Sequence, residues 1–153
     1  MSRFRTSDGL ELACQIDDYS DPWQSADTVV LLHSAMSCAA RYFAWIPQLS
    51  RHYRAARLDL RGHGQSDVPH TGSPLTVTRL VDDVLEFLDE IVCEKAHFVG
   101  ASAGGYLCRL MAMGYPDRVA SLYLFGSTPG YRQSQIPSWL PRVKLVAIVV
   151  GSP

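Results

Sequence analysis

One five-residue stretch constrains this chain more than any other. Gly100-Ala101-Ser102-Ala103-Gly104 separates a short β-prone run, Ala96–Ala101, from a longer apolar run, Ser102–Met113. The first run reads as a strand and the second, apolar nearly all round, as a helix buried in the domain. Small residues on both sides of Ser102 let the chain reverse within one step. A serine at such a strand-to-helix turn sits in a strained backbone and projects its hydroxyl above the sheet. The helix that begins there presents backbone N–H groups towards the same space.

The rest of the sequence supplies a frame for that turn. Leu10–Ile16 reads as an early strand after Asp8-Gly9. Thr28–His33 (TVVLLH) is a continuous apolar, β-branched run, as expected for a strand covered on both faces. Cys38–Leu49 is a helix candidate disturbed by Pro47, and Tyr53–Leu60 a second, less apolar strand. Arg61–Ser73, with Gly62, Gly64 and Gly72, reads as loop. Thr76 can cap a helix whose apolar positions are Val77, Leu80, Val81, Val84 and Leu88, with Arg79, Asp82, Asp83, Glu86 and Asp89 on its outer face. Tyr115-Pro116 ends the helix after Ser102, and Val119–Phe125 gives another strand. Strand and helix in alternation predict an α/β fold, a mostly parallel sheet with helices on both faces.

Composition removes several function classes. Of the 153 residues 47% are hydrophobic and 19% charged, and the net charge is −1 with the basic residues scattered. That pattern fits an enclosed sheet and predicts neither a nucleic-acid surface nor a polybasic membrane patch. No apolar run approaches bilayer length, and Met1–Glu11 lacks the apolar core of a signal peptide, so a cytoplasmic location is expected. Cys14, Cys38, Cys93 and Cys108 stand apart, with no Cys-x-x-Cys pair and no histidine at zinc-ligand spacing. They read as free interior thiols, with no metal and no cofactor expected.

Two further motifs fall in order with the first. His33-Ser34-Ala35-Met36 follows the apolar strand, and Asp59-Leu60-Arg61-Gly62-His63-Gly64-Gln65-Ser66 follows the second. With the Ser102 turn, they make the chain resemble the N-terminal portion of the α/β-hydrolase superfamily, over most of its length. The serine at position 34, where the superfamily commonly has glycine, is similar to the 3-oxoadipate enol-lactonase-like branch. The resemblance implies that Ser102 is the nucleophile. It also implies that the amides of Ala35 and Ala103 form an oxyanion hole. His33, Ser34, Asp59 and Arg61 read as supporting residues, His33 as a buried structural histidine and Asp59 and Arg61 as ties between the turn and its neighbours. His63 reads as an exposed turn residue. The activity implied is hydrolysis of an ester, lactone or related acyl bond in a small-molecule substrate. A carbon–carbon bond hydrolase, a cofactor-free perhydrolase and an inactive fragment are the alternatives.

In that superfamily the triad runs serine, acid, histidine along the chain. Here the five histidines all precede Ser102, and the single later carboxylate is Asp117. The expectation is a truncated chain lacking the C-terminal strands, the acid and the base. Residues 1–126 would be core and 127–153 the start of a lid. The tail Ser138–Val150 fits a lid helix, with Trp139, Val143, Val146 and Val150 on one face, or a strand over Val146–Val150. The short proline-rich link after Phe125 favours the lid. An exposed sheet edge would also favour self-association.

Overall fold

The computed structural model describes residues 1–72, 74–127 and, for the backbone alone, 144–149. A seven-stranded sheet organises them: β1 (Ser2–Arg5), β2 (Glu11–Asp17), β3 (Thr28–Leu32), β4 (Arg54–Leu58), β5 (Ala96–Ala101), β6 (Val119–Phe125) and β7 (Lys144–Val149). Their order across the sheet is β1-β2-β4-β3-β5-β6-β7. The first two strands pair antiparallel, and every pair from β4–β3 to β6–β7 is parallel. This is the α/β architecture that the alternation of runs predicts.

β3 is buried at all five positions because both faces of the sheet are covered there. Val30 and Leu32 face one side, where helix α2 (Val77–Glu90) and helix α3 (Ala103–Gly114) contribute Val84, Phe87, Leu88, Leu107, Cys108 and Met111. Val29 and Leu31 face the other, against Tyr42 and Ile46. That second cover is not the single helix expected over Cys38–Leu49. A 3₁₀ turn, Ala39–Tyr42, is followed by the short helix α1, Ile46–Leu49, with Pro47 in its first turn, where a missing N–H costs nothing. Proline here opens a helix and divides the segment.

α2 begins where the sequence places it: the Thr76 side chain accepts a hydrogen bond from the Arg79 amide. Val77, at its exposed start, is outside the core. Asp83 corrects the expectation of a wholly solvated outer face, because it is fully buried. Arg61, also buried, donates to both Asp83 carboxylate oxygens, from Nε at 2.6 Å and from Nη2. Arg79 reaches Asp83 and Glu86, and Arg61 Nη1 reaches Asp8 at 2.8 Å. The turn after β4, the loop before β2 and the α2 helix are joined by this one network. Hydrogen bonds from Arg61 hold the Asp8 carboxyl well below the usual carboxylate range.

α3 is less enclosed than its composition suggests, with Tyr106 and Met113 exposed. Its N-terminal turn nevertheless lies directly on the sheet. A methyl group at Gly104 would stand 2.2 Å from the Leu32 carbonyl oxygen and 2.6 Å from that of His33. One at Gly100 would meet the Gly105 backbone at 2.5 Å. Glycine at these positions lets helix backbone touch strand backbone. Cys14, Cys93 and Cys108 are buried free thiols, and Cys38 is half-buried.

The tail differs from the expectation of a lid helix. Lys144–Val149 form β7, parallel to β6 with Ser121 opposite Lys144 and Phe125 opposite Val149. The reason is length: 18 residues, 126–143, separate the two strands, and a parallel connection needs only about a dozen. The rest of the proposed lid segment lies outside the described residues. Among the described residues no helix is long and apolar enough to cross a membrane.

Three outcomes are expected. Asp83→Ala, which leaves the Arg61 guanidinium buried without its bidentate partner, lowers stability by about 3–5 kcal/mol in urea titrations. Gly104→Ala costs about 1–3 kcal/mol by forcing helix from strand, whereas Gly114→Ala, with open space around it, leaves the thermal midpoint nearly unchanged. Asp8 contributes stability that is fully present above its unfolded value of 3.8 and is lost as pH falls below it. Asp8→Asn should flatten that acid limb in denaturation followed by circular dichroism.

Candidate active site

The strand order places the site before any side chain is considered. From β3 the chain moves to β4 on one side, then crosses to β5 on the other. Loops leaving the carboxyl ends of β3 and β5 therefore diverge and leave a crevice between them, the usual ligand position in open parallel sheets. Ser34-Ala35 leaves β3 and Ser102 leaves β5 at that point.

Ser102 is exposed and has φ 48° and ψ −111°, a conformation that costs an L-residue about 1–3 kcal/mol. The surroundings hold it there. Its amide donates to the Phe125 carbonyl at 3.1 Å, and its carbonyl accepts from the Tyr106 amide at 2.9 Å and the Ser127 hydroxyl at 2.9 Å. Ser127 can approach because residue 105 is glycine: a methyl there would lie 1.9 Å from its Oγ. The backbone of Ser102 is thus tied to β6 and to α3, and the residue is exposed.

The β3 exit loop is fixed at both ends. His33 is fully buried. Its Nε2 accepts a hydrogen bond from the Leu60 amide at 3.0 Å, so the neutral ring carries its proton on Nδ1 and donates it to the Ser34 carbonyl at 2.8 Å. Burial pushes this imidazole below its ordinary range, which keeps that arrangement. In a planar trans peptide the N–H points opposite to the C=O. With the Ser34 carbonyl turned to the His33 ring, the Ala35 N–H faces away from it. Further along, Asp59 Oδ1 accepts from the Ala39 amide at 2.6 Å, while Oδ2 accepts from the Gln65 amide at 2.9 Å. Gly64 permits the second contact, since a methyl there would overlap the Asp59 carboxylate. Met36, between these anchors, has φ 57° and is 98% exposed. Two of the three non-glycine residues with positive φ among the described residues, Met36 and Ser102, thus flank the crevice.

Of the residues to which the resemblance assigns supporting roles, His33 bonds Leu60 and Ser34, Ser34 Oγ accepts from Arg41, Asp59 accepts from the Ala39 and Gln65 amides, and Arg61 pairs with Asp83 and Asp8. Ala103 starts α3 immediately after Ser102, and its helix turn abuts the β3 carbonyls that precede Ser34-Ala35. None of the described hydrogen bonds joins an imidazole to Ser102. His63 is half-buried, with its ring 5.3 Å from that of His33 and Nδ1 beside the Arg61 carbonyl. His97 contacts Ser121 at the start of β5, five residues or about 16 Å of strand from Ser102.

Sequence reasoning missed three contributors. Ser127 and Gly105 lock the elbow, and the doublet Gly104-Gly105 was the readable signal for a close helix–strand contact. Arg41 donates to Ser34 Oγ at 2.7 Å and lies 5.9 Å from the centre of the Phe125 ring. No local pattern marks it.

The strands, the elbow and the β3 exit loop have counterparts in known proteins. A family model described as alpha/beta hydrolase fold matches residues 27–145. A 2-hydroxy-6-oxononadienedioate/2-hydroxy-6-oxononatrienedioate hydrolase of Paraburkholderia phymatum is 32% identical over 133 residues, 84% of this chain and 46% of that protein. The 3-oxoadipate enol-lactonase 1 of Acinetobacter baylyi is 48% identical over 64 residues, 40% of this chain and 23% of that protein. The crystal structure of the enol-lactonase from Burkholderia xenovorans LB400 superposes with a TM-score of 0.77 at 28% identity, over 92% of this chain and 52% of that one. The chain thus spans about half the length, or less, of these relatives. With the family model covering most of the sequence and the parallel sheet carrying the motifs in order, the chain belongs to the α/β-hydrolase family.

Proposed function

We propose that this chain carries the nucleophile and oxyanion hole of a cofactor-independent serine hydrolase acting on an ester, lactone or related acyl bond. The observation that carries the reading is Ser102 itself: an exposed hydroxyl on a residue held at φ 48° by hydrogen bonds to its own backbone. Such strain persists only where the surroundings impose it, and it is concentrated at sites of function.

In the proposed reaction Ser102 Oγ forms a bond to the substrate carbonyl carbon as the π electrons move onto the carbonyl oxygen. The amides of Ala35 and Ala103 stabilise that oxyanion, an effect worth about 3–4 kcal/mol per donor in related chemistry. Collapse of the intermediate expels the alcohol or enol oxygen and leaves an acyl-serine, which water then hydrolyses. The Ser102 proton must pass to a base. His33 cannot take it, because its Nε2 lone pair is engaged by the Leu60 amide. Among the described residues no imidazole is hydrogen-bonded to Ser102, so the residues described here supply attack and charge stabilisation. The name of one relative, an enol-lactonase, supports hydrolysis of a lactone.

The test is covalent labelling with an alkyl fluorophosphonate, in which Ser102 Oγ bonds phosphorus and fluoride leaves. Peptide mapping should place the adduct on Ser102, with labelling lost in Ser102→Ala. With no imidazole bonded to Ser102 among the described residues, the rate should climb with pH through neutrality and show no inflection near 6–7. An adduct spread over surface hydroxyls, or equal labelling of Ser102→Ala, would overturn the reading.

A further inference from the structure

Arg41 occupies a position that the acyl chemistry does not explain. It lies in the 3₁₀ turn Ala39–Tyr42, exposed to solvent, yet its guanidinium is placed by three contacts. Nη1 donates to Ser34 Oγ at 2.7 Å, and the guanidinium carbon lies 5.8 Å from the Tyr42 ring centre and 5.9 Å from that of Phe125. Ser34 follows the end of β3, and Phe125 ends β6. Between those two strands lies β5, whose exit carries Ser102. A group that touches both neighbours spans the tip of β5. β3 and β6 lie two strand spacings apart, about 9.6 Å, and the guanidinium bridges them by meeting the side chains of Ser34 and Phe125.

The charge is also uncommitted. Among the described residues Arg41 forms no ion pair, and its one hydrogen bond goes to a neutral hydroxyl. The eight ion pairs among the described residues all join other side chains. A guanidinium has five N–H donors in a fixed fork that matches a carboxylate. Ring faces on one side and the Ser34 hydroxyl on the other hold that fork in place with most donors free. The serine that replaces glycine at position 34 thereby acquires a use: its hydroxyl fixes the arginine beside the amide of Ala35.

We infer that Arg41 is a specificity-determining residue that binds a carboxylate borne by the acyl substrate, a few bonds from the carbonyl attacked by Ser102. The substrate class is then an ester or lactone carrying a free carboxylate, such as a half-ester of a short dicarboxylic acid. This inference rests on the acyl-hydrolase reading for the identity of the reacting carbonyl, but the anion site itself does not. Its apolar neighbours, Trp45 with its ring 5.5 Å from Phe125 and exposed Met36, would line the carbon chain between the two groups.

Two measurements on the 153-residue chain separate the ideas. Titration calorimetry with glutarate, against dimethyl glutarate as the neutral counterpart, reads the anion site without any reaction. Glutarate should bind in preference to the diester, weaken at least tenfold in Arg41→Gln and by less in Arg41→Lys, and weaken as salt is raised. The second measurement compares fluorophosphonate probes ending in a carboxylate or its methyl ester. The ratio of their labelling rates at Ser102 should favour the carboxylate and fall at least tenfold in Arg41→Gln, with circular dichroism confirming that the variant is folded. Glutarate binding that is absent, or equal in Arg41→Gln, overturns the inference whatever Ser102 does. Arg41-dependent binding with an inert Ser102 keeps the anion site and overturns the acyl-hydrolase reading instead.

Discussion

The contact between the backbone of α3 and the carboxyl end of β3 is the constraint on which the site depends. Where the Cβ of an ordinary residue would strike the Leu32 carbonyl, Gly104 has none. Helix and strand therefore meet without a side chain between them. Two consequences follow for the crevice. The helix N-terminus is drawn over the sheet, and Ser102 is forced to turn within one residue. The separation of the Ser102 elbow from the Ser34-Ala35 loop is then set by peptide geometry, which is stiff, and not by rotamers, which are soft.

The second layer of support comes from charge. Asp59 spends both carboxylate oxygens on backbone amides from two different loops, and Arg61 spends its fork on Asp83 and Asp8. Two residues apart in sequence, Asp59 and Arg61 belong to separate networks, one joining the loops after β3 and β4 and one joining the turn after β4 to α2. A buried ion pair is a poor source of net stability when weighed against an apolar substitute. Its contribution here is orientation: it fixes how the turn after β4 sits against the helix that follows it.

Much of this was legible in the residues because it depends on local pattern. β3 and β6 have the apolar β-branched or alternating runs of parallel strands, and α2 has a capping threonine and a helical period. Ser102 with its glycine neighbours marks the elbow, and the family resemblance carried Ala35 and Ala103. What escaped depends on distance along the chain. β1 is a four-residue edge strand alternating arginine with Ser2 and Phe4, too short and too charged to register. Asp83 looked solvated on its helix because its partner, Arg61, lies 22 residues away. β7 is obscured by the short proline-rich link after Phe125, and pairing with β6 is a tertiary event that the tail's own residues do not announce. Arg41 and Ser127 gain meaning only when three strand ends meet.

The buried ring of His33 has one more consequence. Two imidazoles 5.3 Å apart, one buried and one half-buried, look like a proton wire from solvent. A wire needs each ring to accept on one nitrogen and release from the other, then to reset. His33 can do neither, since Leu60 occupies its lone pair and the Ser34 carbonyl its proton. Resetting the tautomer would also break the hydrogen bond to the Ser34 carbonyl and free the Ser34–Ala35 peptide to turn. The fold has made this histidine an insulator: with both ring nitrogens bonded to backbone, it passes no proton between its neighbours.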